Sequence, residues 1–234
     1  MTGSAIKQKR ETSGFSKAYL IVYNVVQTLG WSYLLFQVVT YYVSLKSANS
    51  LYETVKWTVI IFQNAAVLEI VHAFLKLVPS NPIVTLQQVF SRVMLVCGVL
   101  MVTNEGRDYF GLPLALFAWC ITEIIRYGFY ALNLIGFVPD LMKWLRYTTF
   151  IILYPVGVTG ELLCLYGAFR EVSRNRLWSV DLPNFINFSF QYDYFIMLVM
   201  LLYIPLFPQL YLHMFTLRRK VLGGVNKFPE NKTK

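Results

Sequence analysis

Long apolar runs separated by short polar ones make up most of this chain. Six of them, at about 18–43, 56–78, 83–103, 110–135, 146–169 and 193–216, match the ~20 mainly apolar residues that a helix needs to cross a bilayer. The separators carry turn and charge signals: KSANSLYE, VPSNP, NEGRD, GFVPDLMK and REVSRNRLWSVDLPN. Only a few residues around Pro79 and Pro82 join the second and third runs, so those two are expected to form an antiparallel hairpin. No period of 20–50 residues repeats, which argues against a solenoid, and no inverted halves are visible, which weakens a transporter reading. The pattern predicts an all-α polytopic membrane protein, a bundle of six transmembrane helices over residues 18–217. A basic tail at 1–17 precedes it and another at 218–234 follows.

Composition agrees. Of 234 residues, 56% are hydrophobic and 14% charged, against about a quarter charged in an ordinary soluble domain. The net charge of +9 raises the question of nucleic acid. The basic residues lie between apolar runs rather than in a stripe with interleaved aromatics, so membrane orientation accounts for them and no nucleic-acid partner is expected. Lys and Arg in the two tails, together with Lys76, Lys143 and Arg146, outnumber those in the alternate separators, such as Lys56, Arg107 and Arg174. The positive-inside rule therefore puts both termini in the cytosol. The first run exceeds the ~7–15 residues of a signal-peptide core and reads as a retained span. Cys97, Cys120 and Cys164 stand singly in apolar stretches and read as buried small hydrophobes. No His and carboxylate set has metal spacing, so neither metal nor cofactor is expected.

Ionisable groups inside apolar runs are costly and invite a functional question. The second run holds Glu69 and His72, expected to snorkel to the cytosolic interface. The third holds Gln87, Gln88 and Arg92. In the fourth, Glu123 and Arg126 are three apart and can pair along one helix face, with purely structural and functional readings equally open. His213, near the end of the last run, reads as an interface residue. The fifth run, RYTTFIILYPVGVTGELLCLYGAFR, differs from the others. Pro155 directly follows Tyr154 and removes a helix hydrogen bond, Gly157 and Gly160 bare the backbone, and Glu161 comes next. Seven residues make almost two turns, so Tyr154 and Glu161 share a face about 10 Å apart along the axis. A phenol and a carboxyl so placed suit a proton donor and acceptor working on neighbouring atoms of a slender substrate. Cys164 to Arg170 fits the phosphatase spacing C-x5-R by count. That chemistry needs a loop of free backbone N–H groups and a low-pKa thiolate, which an apolar helix does not offer.

With the Y-P-x-G-x-x-G-E pattern around Tyr154 and Glu161, the chain resembles the 3-hydroxyacyl-CoA dehydratases of fatty-acid elongation, also called protein-tyrosine-phosphatase-like proteins. The resemblance extends from YLIVYNVVQTLGWSYLL through LEIVHAFLKLVPSNPIVTLQQVFSRV and EIIRY to the basic tail. It implies six spans in the endoplasmic reticulum, action on very-long-chain acyl-CoA, and catalysis by Tyr154 and Glu161. It also implies structural or substrate-positioning value for Arg92, Glu123, Arg126, Arg146 and Gly157. The elongase, the ketoacyl-CoA reductase and the enoyl-CoA reductase of the same cycle, besides membrane lipid, become the expected partners. The tail lacks a clean retrieval signal, because Glu230 stands where a second lysine would accompany Lys232, so the compartment rests on the resemblance. The rival reading is a non-enzymatic membrane scaffold or transporter, in which the buried polar groups only pack or line a path.

Overall fold

The structure is a computed structural model that describes residues 14–44, 49–108, 110–185 and 187–223. Most of both basic tails lies outside the described residues. The helices are α1 (Gly14–Val43), α2 (Leu51–Ala65), α3 (Val67–Phe74), α4 (Pro82–Val93), α5 (Glu105–Asp108), α6 (Gly111–Ile135), α7 (Asp140–Thr148), α8 (Phe150–Asn175) and α9 (Tyr192–Leu222). A wide π-helical turn, Met94–Leu100, extends α4. Local chemistry sets several starts. Ser50 accepts from the Glu53 amide to cap α2, and Asn81 accepts from the Ile83 amide to cap α4 with Pro82 in its first turn.

The chain is an all-α polytopic membrane protein. Five stretches are long and apolar enough to cross a membrane: Leu51–Phe74, Pro82–Leu100, Gly111–Ile135, Phe150–Asn175 and Tyr192–Leu222. Helix α1 has 30 residues, about 45 Å at 1.5 Å per residue, but is not among the five. Asn24, Gln27, Thr28, Ser32 and Gln37 dilute its apolar character. Several of these groups are satisfied within the protein. Asn24 donates to the Leu20 carbonyl, and Gln27 to the Phe62 carbonyl and the Tyr23 hydroxyl.

Contacts between connections sort the helix ends into two groups. At one end, Arg107 pairs with Glu53 at 3.9 Å, Arg174 with Glu105, and the Glu171 carboxylate accepts from the amides of Asn104 and Glu105. This joins the start of α2, helix α5 and the end of α8. At the other end, the Tyr19 hydroxyl meets His72 at 3.0 Å and Arg146 donates to the Tyr130 hydroxyl at 2.9 Å.

Helix α6 is the centre of the bundle, packed on α1 and α8. Small residues let α6 and α8 approach closely. A Cβ on Gly160 would fall 2.5 Å from the Ala115 nitrogen, and one on Gly111 2.4 Å from the Gly160 carbonyl oxygen. Helix α8 runs straight through Pro155, which has no N–H for the Ile151 carbonyl one turn back. The Tyr211 hydroxyl of α9 donates to that carbonyl at 2.9 Å and replaces the missing bond. The fifth run was expected to be continuous from residue 146. A turn at Thr149 instead separates α7 from α8, so Arg146 stands on a helix of its own.

Candidate active site

A cavity of about 210 Å³ opens between α4, α6, α8 and α9, with α1 and α2 closing its far side. Six of the residues to which the resemblance gives a role line it, Arg92, Glu123, Arg126, Tyr154, Gly157 and Glu161, and so do Gln87 and Gln88. Arg146 does not. It lies outside the cavity, bonded to Tyr130 and set against the rings of Phe129 and Tyr130 at 5.0 and 4.6 Å.

On the α8 wall, Tyr154 packs edge-on against Phe150, one turn back. Its hydroxyl makes no hydrogen bond among the described residues. Glu161 is 6% exposed, and each of its oxygens accepts one bond from a neutral donor. Trp119 Nε1 donates to one at 2.8 Å, and the Tyr203 hydroxyl to the other at 2.6 Å. Glu161 is thus held in one orientation, with lone pairs remaining on both oxygens. Gly157 lines the cavity, where a Cβ would rest 3.4 Å from that of Ala118, an ordinary contact. Gly160 belongs instead to the tight crossing with α6.

The α4 and α6 wall carries charge that balances. Arg92 pairs with Glu123, and Arg126 Nε donates to Glu123 at 2.7 Å. The pairing of Glu123 and Arg126 three residues apart is as the sequence predicts. Arg126 also forks onto both oxygens of Glu69, at 2.6 and 2.8 Å, and Tyr127 donates to the same carboxylate. Glu69 therefore does not snorkel, because an arginine on α6 offers it a bidentate partner inside the bundle. His72 is buried too, bonded to Tyr19 at that end of the bundle and edge-on to Tyr23 at 5.0 Å. His213 is exposed.

Cys164 is fully buried within α8, where helix hydrogen bonds occupy the backbone N–H groups a phosphate would need. Among the described residues no cluster of three or more His, Cys, Asp or Glu side chains could hold a metal ion.

Sequence reasoning missed Trp119, Tyr203, Trp31 and Gln63, all on the cavity wall. Gln63 carried a usable signal, as a carboxamide in the middle of an apolar run. Trp119 and Tyr203 carried none, because an aromatic with a polar tip looks the same in a run whether or not that tip meets Glu161, 42 residues away.

The model of the protein tyrosine phosphatase-like family, PTPLA, matches residues 63–224. Very-long-chain (3R)-3-hydroxyacyl-CoA dehydratase 2 of Mus musculus is 46% identical over 217 residues, covering 93% of this chain and 85% of the mouse protein. Very-long-chain (3R)-3-hydroxyacyl-CoA dehydratase hpo-8 of Caenorhabditis elegans is 42% identical, covering 90% and 97% of the two chains. The Arabidopsis thaliana dehydratase PASTICCINO 2 is 36% identical, covering 88% and 94%. No solved structure matches. A family match over most of the chain, with relatives of this identity covered almost end to end, means that the chain belongs to the protein tyrosine phosphatase-like family of very-long-chain 3-hydroxyacyl-CoA dehydratases.

Proposed function

We propose that this protein dehydrates very-long-chain 3-hydroxyacyl-CoA to the trans-2-enoyl-CoA. The observation that carries the reading is one cavity holding Tyr154, with a free hydroxyl, and Glu161, with both oxygens held by neutral donors. Elimination needs a base for the C2 proton, an acid for the departing C3 oxygen, and a donor for the thioester oxygen as charge builds there. Tyr154 lies one turn into α8 and Glu161 about 10 Å further along. A CoA thioester entering from the α8 start meets Tyr154 first. The phenol donates to the thioester carbonyl oxygen. Glu161 takes the proton from C2 and returns it to the C3 oxygen, the C2–C3 double bond forms, the C3–O bond breaks, and water leaves. Trp119 and Tyr203 keep the carboxylate aimed, and the paired charges of α4 and α6 hold the opposite wall. The acyl chain lies among the apolar side chains of α9, such as Leu202 and Leu206.

Purified protein in detergent or vesicles, given 3-hydroxyacyl-CoA, is expected to form the trans-2-enoyl thioester. Folded protein that forms none would sink the proposal.

The same reading places α1 across the bilayer as a sixth span, with both termini in the cytosol of endoplasmic reticulum membranes. The elongase and the two reductases of the cycle are its neighbours. The two groups of helix ends support an even number of crossings, because they are the ends that alternation would bring together. A glycosylation acceptor on a long extension after Lys234 should remain unmodified in microsomes, and efficient modification would put that tail in the lumen.

A further inference from the structure

The cavity wall on α4 carries a polar group that the elimination does not use. Gln88 lines the cavity and is half-buried. Its backbone carbonyl accepts from Ser91, but its side chain bonds nothing among the described residues. Neighbouring Gln87 has an Nε2 sealed away from any partner, whereas neither polar atom of the Gln88 carboxamide is sealed. An open carboxamide in a membrane span is costly unless something meets it.

Its direction follows from helix geometry. Gln88 and Arg92 are four residues apart and share one face of α4. Arg92 points inwards, onto Glu123 of α6, and Thr85, three residues before Gln88, is buried on the same side. The carboxamide therefore faces the bundle interior rather than lipid. Arg92 also marks the level of the chemistry. Its guanidinium lies 5.8 Å from the ring of Trp119, whose Nε1 holds Glu161. Its charge acts on the Tyr154 hydroxyl more strongly than that of Arg146 or Arg126. Helix α4 starts at the same end of the bundle as α8, because the Tyr19–His72 contact places α3 at that end and a short turn leads into α4. Gln88 is thus about 6 Å nearer the entrance than Arg92.

We infer that Gln88 is the subsite for the first amide of the substrate's pantetheine arm, resting on the dehydratase reading above. From the thioester carbonyl carbon, four bonds lead back through sulfur and two methylenes to that amide's nitrogen, about 5 Å in an extended chain at ordinary bond lengths. This step matches the rise from Arg92 to Gln88. The other polar group of the acyl part, the C3 hydroxyl, lies on the far side of the carbonyl and deeper in the cavity. A secondary amide offers one N–H and one carbonyl, and a glutamine carboxamide accepts the first and donates to the second. Held there, the arm sets how far the thioester advances and brings its carbonyl to Tyr154. Gln88 binds the carrier arm and takes no part in proton transfer.

The test compares three thioesters of 3-hydroxystearic acid as substrates. One is formed with CoA, one with N-acetylcysteamine, which keeps only the first amide, and one with 2-acetoxyethanethiol, in which an ester oxygen replaces that amide's N–H. The unsubstituted protein should turn over the N-acetylcysteamine thioester with a kcat/KM about fivefold above the acetoxyethyl one, the effect of one neutral hydrogen bond. Equal values overturn the inference without any variant, and so does turnover of the CoA thioester alone. Gln88→Met keeps the length of the side chain and loses both hydrogen bonds. It should raise KM for the CoA and N-acetylcysteamine thioesters about tenfold, leave kcat nearly unchanged and erase the preference for amide over ester. A preference that survives this substitution, an equal loss on all three thioesters, or a loss confined to kcat rejects the subsite. Failure of the dehydratase reading looks different: the unsubstituted protein forms no enoyl product from any of the three.

Discussion

Glu123 and Glu161 are both buried, 1% and 6% exposed, and both line the same cavity, yet they have opposite surroundings. Glu123 is held by two guanidinium groups, from Arg92 and Arg126. Glu161 is held by an indole N–H and a phenol, neither of them charged. A proton reaching Glu123 would strand two arginines in the bundle, so its charge is locked. No cation is bonded to Glu161, so in the mechanism proposed above a proton can reach it without stranding one. A buried carboxyl between cations serves the fold, and one between neutral donors is available for chemistry.

The most direct way to break this contrast is to neutralise each acid without changing its shape. Glu161→Gln should lower the rate of enoyl-CoA formation about 10²–10⁴-fold, with the melting temperature nearly unchanged. Near-full turnover in that variant would end the assignment of Glu161. Glu123→Gln should instead cost about 3–5 kcal/mol of stability, because Arg92 loses the carboxylate it pairs with. Thermal and denaturant unfolding in detergent measure this. If Glu123→Gln is inactive and melts like the parent, the two roles are reversed.

What was legible in the sequence follows from single-helix geometry. Three residues bring Glu123 under Arg126, seven bring Tyr154 and Glu161 onto one face, and apolar length marks the spans. What was not legible depends on how one helix is registered against another. Glu69 finds Arg126 57 residues on, and no pattern local to Glu69 announces it. Arg146 became a candidate only through the resemblance, and its bond to Tyr130, 16 residues back on another helix, has no signal in the run around it. The polar residues of α1 lower its hydropathy for the same reason: their hydrogen-bond partners lie partly on α2, invisible to a count along one chain segment.

The two glycines of α8 sharpen the contrast between a working wall and a packed one. At Gly157 a side chain starts in ordinary contact with Ala118 and extends into the cavity, whereas at Gly160 it meets α6 backbone at once. Gly157→Leu should leave the fold intact and reduce turnover about tenfold or more, since overfilling a fitted space typically costs ~1–3 kcal/mol. A correctly inserted Gly157→Leu protein with full activity would show that substrate does not pass that face.

The smallest effect concerns how α8 carries a proline beside Tyr154. Pro155 leaves the Ile151 carbonyl without its helix partner, and Tyr211 of α9 supplies the donor. Tyr211→Phe removes only that hydroxyl. The ring can still pack against Phe150, Phe207 and Phe215, whose centroids lie 5.9, 5.4 and 5.0 Å away. Leaving one buried carbonyl unpaired should cost about 1 kcal/mol. A lost ring contact would produce a similar number, so the single variant does not discriminate. Pro155→Ala does, because alanine restores an N–H that can reach Ile151 along the helix. In that background Tyr211→Phe should cost much less, giving a coupling of most of the single-variant loss in a double-mutant cycle read by unfolding. Strict additivity would mean that the Tyr211 hydroxyl does not substitute for the missing helix bond, and that α8 tolerates Pro155 by some other means.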